Sequence, residues 1–169
     1  MTKNLFVISF LLLLSFYGCS TQNENDLMES AKKNVENEQY KEAINDYEKF
    51  IADYPHSKNL GIVNFELAKL YQGKFAEGLT KKESMEKAIE HYKVVYEDYP
   101  EMKEAPSSLF MTGFIQANEL HKFDDAKETY NLFIKRYPDH ELAASAQNEL
   151  DNLGLSPEEI LRKSAKDIE

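Results

Sequence analysis

One phrase is written three times in this chain. It reads Ala43, Tyr47, Phe50, Tyr54, Pro55, then Ala88, Tyr92, Val95, Tyr99, Pro100, then Ala126, Tyr130, Phe133, Tyr137, Pro138. In each copy an aromatic follows the Ala at plus four, a large apolar residue at plus seven, and Tyr-Pro at plus eleven and twelve. The first four positions recur at helical spacing, so they share one stripe of a helix that the Pro then ends. Repetition of the whole phrase with unchanged internal spacing declares a repeat architecture.

The remaining helix signals fit around that stripe. The spacing predicts a first helix from Asp26 to Asn37, capped by Asp26 or Asn25, and a partner from Tyr40 to Asp53. Ser57 reads as the cap of a helix over Lys58 to Gln72. A longer connection, Gly73 to Leu79, leads to Thr80 and Glu83, which form a capping box for a helix from Lys81. A third pair is expected over Lys103 to Leu120 and Phe123 to Arg136. Asp139 then opens a helix from His140 to Leu153, which Gly154 stops in the left-handed position. Ser156, Pro157 and Glu159 give a last start signal. No segment reads as a strand, so the fold class is all-α, built of helix–turn–helix units.

Charge narrows the partners. The 169 residues hold 30 acidic against 20 basic side chains, a net charge of −10. No block of Lys or Arg stands clear of neighbouring acids, which disfavours a nucleic-acid partner.

The N-terminus differs from the rest. Lys3 precedes an apolar run from Leu5 to Leu14, shorter than the roughly 20 residues needed to span a bilayer but suited to a signal-peptide core. Gly18 and Cys19 follow, and Cys19 is the only cysteine, so no disulfide can form within one chain. This order resembles the lipobox of bacterial lipoproteins, departing from it at Phe16, where that family most often has Leu. The resemblance implies cleavage before Cys19 and acylation of that residue, with acyl chains that anchor the protein in a membrane. The expected division is then a lipoprotein signal peptide over 1–18, the lipidated Cys19 and a flexible tether over 19–25, the helical repeat domain over 26–153, and a C-terminal capping helix over 154–169. Ser20 after the Cys implies an outer-membrane destination facing the periplasm in a Gram-negative host.

Aligned on Ala and Pro, the helical units resemble tetratricopeptide repeats. Ala31 with Ala43, Ala68 with Ala88 and Gly113 with Ala126 supply the small pairs, while Tyr40, Phe123 and Tyr71 supply further aromatics. The resemblance covers about residues 24 to 153. It implies an α-solenoid of about three hairpins with C-terminal capping helices. The second unit carries about eight residues more than the family pattern in its inter-helix turn. The Tyr-Pro ending followed by a polar residue is similar to bacterial envelope members, including the lipoprotein of the outer-membrane β-barrel assembly machinery and the Tol–Pal-associated periplasmic proteins.

Catalysis finds no support. There is no Gly-rich phosphate loop and no nucleophile elbow. His56, His91, His121 and His140 lack a His or Cys partner at helical spacing, so neither a metal site nor a cofactor is expected. The repeated tyrosines and phenylalanines read as core. What remains is the concave face that the family resemblance assigns to first helices: Met28 and Lys32 in the first unit, Ile62, Phe65 and Lys69 in the second, Phe110 and Phe114 in the third. These would bind a peptide or protein partner, the lysines holding carboxylates or carbonyls. The competing reading is that Phe65 and Phe110 pack between neighbouring helices.

The expected function is a lipid-anchored, non-enzymatic scaffold for protein interaction in the cell envelope, in outer-membrane protein assembly or envelope maintenance. A glycan- or peptidoglycan-binding accessory lipoprotein is one alternative. Self-association through the acidic terminal helix is another.

Overall fold

The computed structural model describes residues 23–166, and within them every regular element is helical. Helices α1 (Glu24–Glu36) and α2 (Tyr40–Asp53) form the first hairpin, and α3 (Leu60–Gln72) and α4 (Lys81–Asp98) the second. The third pairs α5 (Ala105–Phe114), which runs on as a π-helical segment Ile115–Glu119, with α6 (Phe123–Arg136). After these come α7 (Ala143–Asp151) and α8 (Pro157–Lys166). Each helix from α1 to α6 packs on the next, which is the order of an α-solenoid of helical hairpins. The signal peptide and Cys19 lie outside the described residues.

The repeated phrase is the seam of this stack. Ala43, Ala88 and Ala126 are fully buried, and Tyr47, Tyr92, Tyr130, Phe50, Val95 and Phe133 are at most 2 % exposed. Burying a side chain of this size contributes roughly 2–3 kcal/mol. The terminal tyrosines of the three copies adopt one backbone geometry: Tyr54 at φ −127° and ψ 57°, Tyr99 at −129° and 52°, Tyr137 at −131° and 54°. The following Pro excludes the helical conformation from the residue before it, so each Tyr leaves the helix at the same angle.

That exit also sets where the next helix starts. The Tyr carbonyl accepts the N–H three residues on, from Ser57, Met102 or His140. The carbonyl of that residue accepts the next such N–H, from Leu60, Ala105 or Ala143. Two successive turns therefore separate each Pro from its helix. The starts expected at Lys58, Lys103 and His140 move to Leu60, Ala105 and Ala143. Ser57 is not a helix cap. Its hydroxyl oxygen accepts the Asn59 N–H at 3.0 Å, and the hydroxyl donates to Glu24.

The first helix also begins earlier than the sequence suggests. Asn23 is its cap, accepting the Asp26 N–H at 3.0 Å, and Asp26 reaches back to the Asn23 amide groups. Asp26 is thus the third-position partner of a capping box and not the cap, and Glu24 and Asn25 are helical. The other start signals stand as expected. Thr80 and Glu83 form a capping box, and Ser156 and Glu159 exchange the same pair of bonds. Gly154 takes φ +78°.

The hairpin turns pass through left-handed residues: Glu38 at φ +59° in the first, His121 at +53° in the third, and both Lys74 at +62° and Gly78 at +81° in the second. The first and third reach the buried Ala of the following helix in five residues (38 to 43, 121 to 126). The second takes fourteen (74 to 88). The third hairpin differs in its own way. Thirteen residues separate Gly113 from Ala126, against twelve between Ala31 and Ala43. The π segment absorbs the additional residue, with the Leu120 N–H bonded to the Ile115 carbonyl at 3.0 Å. Gly113 marks the closest approach of this hairpin, since a Cβ there would lie 2.9 Å from the Tyr130 ring.

Candidate functional site

The seven residues assigned to the first-helix face fall on α1, α3 and α5, and the structure gives them unequal roles. On α1, Met28 packs half-buried on the core, and Lys32, one turn on, is exposed. On α3, Phe65 meets the Tyr92 ring edge-on at 6.0 Å. Lys69 is exposed beside it, its ammonium 5.4 Å from the Phe65 ring centre and 2.8 Å from the Glu66 carboxylate. Ile62 lies half-buried one turn before Phe65. On α5, Phe110 packs 5.8 Å from Tyr130 and 6.0 Å from Phe133, while Phe114 is half-buried.

Phe65 and Phe110 therefore hold helices together, as the competing reading had it. The accessible chemistry of this face is its ammonium groups at Lys32 and Lys69. Among the described residues, no hydrogen bond, ion pair or ring contact joins the set on one helix to that on another. What the residues share is their position on successive first helices.

A second feature arises where the repeat spacing breaks. The enlarged turn after α3 leans back on the preceding hairpin. Phe75 stacks on Tyr40 with ring centroids 3.8 Å apart, and Glu77 pairs with Lys41 at 2.7 Å. Between this turn, α2, the end of α3 and α4 lies a cavity of about 250 Å³. Ile44, Ala76 and Leu79 provide apolar wall, and Glu48, Lys87 and Tyr71 bring polar groups to it. None of these belongs to the first-helix set, and neither Glu48 nor Lys87 stood out in the sequence.

Tyr71 organises the cavity wall. Its hydroxyl donates to the Glu48 carboxylate, and the Lys87 ammonium lies 5.3 Å from its ring centre. Burial, reinforced by Glu48, pushes the phenol far above its ordinary pKa, so Tyr71 stays a proton donor. On the same ring rests His91, whose Nδ1 is 2.8 Å from the Asn64 side-chain oxygen. Burial first, and then the Lys87 charge, push His91 down to about 4, so it is neutral at pH 7.

His91 belongs to a position that repeats in all three copies of the phrase. Three residues after the buried Ala of each copy stands a polar side chain that bonds back to the first helix. Asp46 accepts from Ser30 and Asn34, His91 meets Asn64, and Thr129 donates to Gln116 at 2.7 Å. The signal was present, because Asp46, His91 and Thr129 all sit at plus three. Their differing chemistry hid it.

The other histidines are apart from one another. His56 and His121 are exposed, and His140 accepts the Leu142 N–H through Nδ1 beside the Phe133 ring. Among the described residues no group of three His, Cys, Asp or Glu side chains is placed to hold a metal ion. Among them, too, no helix is long and apolar enough to cross a membrane.

The fold thus defines a helical-hairpin solenoid with a lysine-bearing first-helix face. The family model described as tetratricopeptide repeat matches residues 29–57 and 107–140, which fall on the first and third hairpins. These matches support a tetratricopeptide-repeat protein. The second hairpin, whose turn is enlarged, lies outside them. No curated protein matches the chain.

Proposed function

We propose that this protein is a lipid-anchored scaffold that binds a protein partner on its first-helix face in the bacterial cell envelope. The observation that carries the reading is the run of tetratricopeptide hairpins with Lys32 and Lys69 exposed on successive first helices. Solenoids of this kind present extended surfaces to partners, and an exposed ammonium on each of α1 and α3 favours an acidic or carbonyl-rich segment. The anchor rests on the sequence alone, on Cys19 after the apolar run of residues 5–14. Envelope maintenance or outer-membrane protein assembly is the setting that the lipobox and the Tyr-Pro endings suggest.

Growth with an alkyne-bearing fatty acid tests the anchor. The parent chain should acquire label and Cys19→Ala should not; an unlabelled parent removes the anchor from the account. For the face, the packing of Phe65 and Phe110 makes alanine variants a test of folding. Charge reversal at Lys32 and Lys69 is the cleaner probe, and partner recovery should fall while the helical signal holds.

A second reading, a glycan-binding accessory role, gains from one observation. Phe123 is 41 % exposed, beside a cleft of about 520 Å³ also lined by Asn118, Asn148, Glu149 and Glu159. An aromatic face flanked by amides and carboxylates suits a sugar ring. Titration with muropeptides, with Phe123→Ala as control, separates this reading from the first.

A further inference from the structure

We propose that the cavity beneath the 73–80 turn binds a small ligand that carries a carboxylate on an apolar body, with Lys87 as the countercharge. The cavity exists because of the break in the repeat. The fourteen-residue path from Lys74 to Ala88 gives the chain enough length to fold back over α2. Two contacts hold it there, the Tyr40–Phe75 stack and the Lys41–Glu77 pair. The cavity is therefore formed before any ligand arrives, which spares binding much of its ordering cost.

Size and lining define the occupant. A volume of about 250 Å³ is below the roughly 300–1,000 Å³ of sites for drug-sized molecules, so the ligand is small. Ile44, Ala76, Leu79 and the Tyr71 ring offer it an apolar surface. Four charges stand around that surface, two of them in an ion pair and a third in a hydrogen bond to a neutral hydroxyl. Lys41 and Glu77 hold each other, and Glu48 accepts the Tyr71 hydroxyl. Lys87 makes no ion pair among the described residues and only overlies the Tyr71 ring.

Lys87 is thus the one charged group on the wall with neither a hydrogen bond nor an ion pair among the described residues. A carboxylate placed against it completes a charge-assisted pair, whereas an amine would have to share Glu48 with the Tyr71 hydroxyl or displace Lys41 from Glu77. An uncharged ligand would gain the apolar contact alone. The first-helix face contributes nothing to this site, so the two binding functions are separable.

Amide chemical-shift titration of the full chain tests the proposal, using hydrocinnamate and the alcohol and amine of the same carbon skeleton. Hydrocinnamate should saturate, with shifts centred on residues 44–48, 71–79 and 87. The alcohol should bind about tenfold more weakly, the step that about 1.4 kcal/mol represents, and the amine more weakly still. Lys87→Met keeps the apolar stem and should bring hydrocinnamate down to the level of the alcohol. Ala76→Trp should fill the cavity and abolish both. The proposal is overturned if hydrocinnamate fails to saturate, if it binds no tighter than the alcohol or the amine, or if Lys87→Met binds it as the parent does. Should Lys87→Met fail to fold, the comparison of the three probes on the parent decides.

Discussion

The imidazole of His91 lies flat on the phenol ring of Tyr71, with centroids 5.5 Å apart and planes 2° from parallel. This contact joins α3 to α4 beside the enlarged hairpin turn, where burial holds the imidazole uncharged. Placing charge there means charging a group removed from water, with the Lys87 ammonium close by.

A pH dependence follows with a definite sign. His91 titrates near its ordinary 6.5 when unfolded and near 4 when folded, so below pH 6.5 the unfolded chain binds the additional proton. Its contribution is complete above about pH 6.5 and is lost as pH falls towards 4, in all about 3 kcal/mol. Urea midpoints of the parent should therefore fall between pH 7 and pH 4.5 more steeply than those of His91→Gln. Parallel slopes would show that His91 is not held neutral.

Two tyrosines in the same register separate on their hydroxyl groups. Tyr92 donates to the Gln72 side chain at 2.7 Å, whereas the buried Tyr130 hydroxyl has no hydrogen-bond partner among the described residues. Tyr92→Phe should cost about 1 kcal/mol by losing a bond. Tyr130→Phe should be neutral or stabilising by about 1 kcal/mol, since it removes an unsatisfied polar atom. Chemical denaturation of both variants measures the difference, and equal losses would contradict it.

The sequence made the seam legible because its constraint is local. Ala, the aromatic and the large apolar residue share one helical stripe, and Pro dictates how the preceding Tyr leaves it. Helix starts were less legible, because they depend on backbone bonds that residue identity does not announce. Ser57 and Asp139 have the chemistry of caps, yet the Tyr-Pro exit spends two turns before helix can begin. Asp26 looked like a cap and is the partner of one. The candidate face was legible as positions and not as roles. Whether Phe65 meets solvent or Tyr92 depends on how the second hairpin closes, and spacing along one helix does not carry that. The cavity was foreshadowed only by the break in spacing, since Glu48 of α2 and Lys87 of α4 meet across the Tyr71 ring of α3.

Left-handed residues at the hairpin turns offer a third measurement. Glu38 and His121 hold φ values of +59° and +53° that carry a steric cost for any residue with a Cβ. Glu38→Gly and His121→Gly should each stabilise by about 0.5–1 kcal/mol, the relieved strain exceeding the flexibility added to the unfolded chain. Glycine at the exposed helical position Lys93 should instead destabilise by about 1 kcal/mol. Thermal unfolding of the three variants shows whether the turns carry this strain.

Gly113 gives the opposite case. A methyl group at this position would lie 2.9 Å from the Tyr130 ring, inside ordinary contact distance. Gly113→Ala should lose about 1–3 kcal/mol although Ala favours helix, because the third hairpin must open to admit it. A gain in stability would mean that α5 and α6 approach less closely than described.

The central claim is that the first helices present the partner-binding face of an envelope scaffold. Site-specific photo-crosslinking in intact cells tests it most directly, with the probe placed in turn at Lys32, Lys69 and, as control, Lys93 on the second helix α4. The account predicts one shared protein adduct from Lys32 and Lys69 and none from Lys93. An adduct from Lys93 alone, or no adduct from either first-helix position, would contradict it.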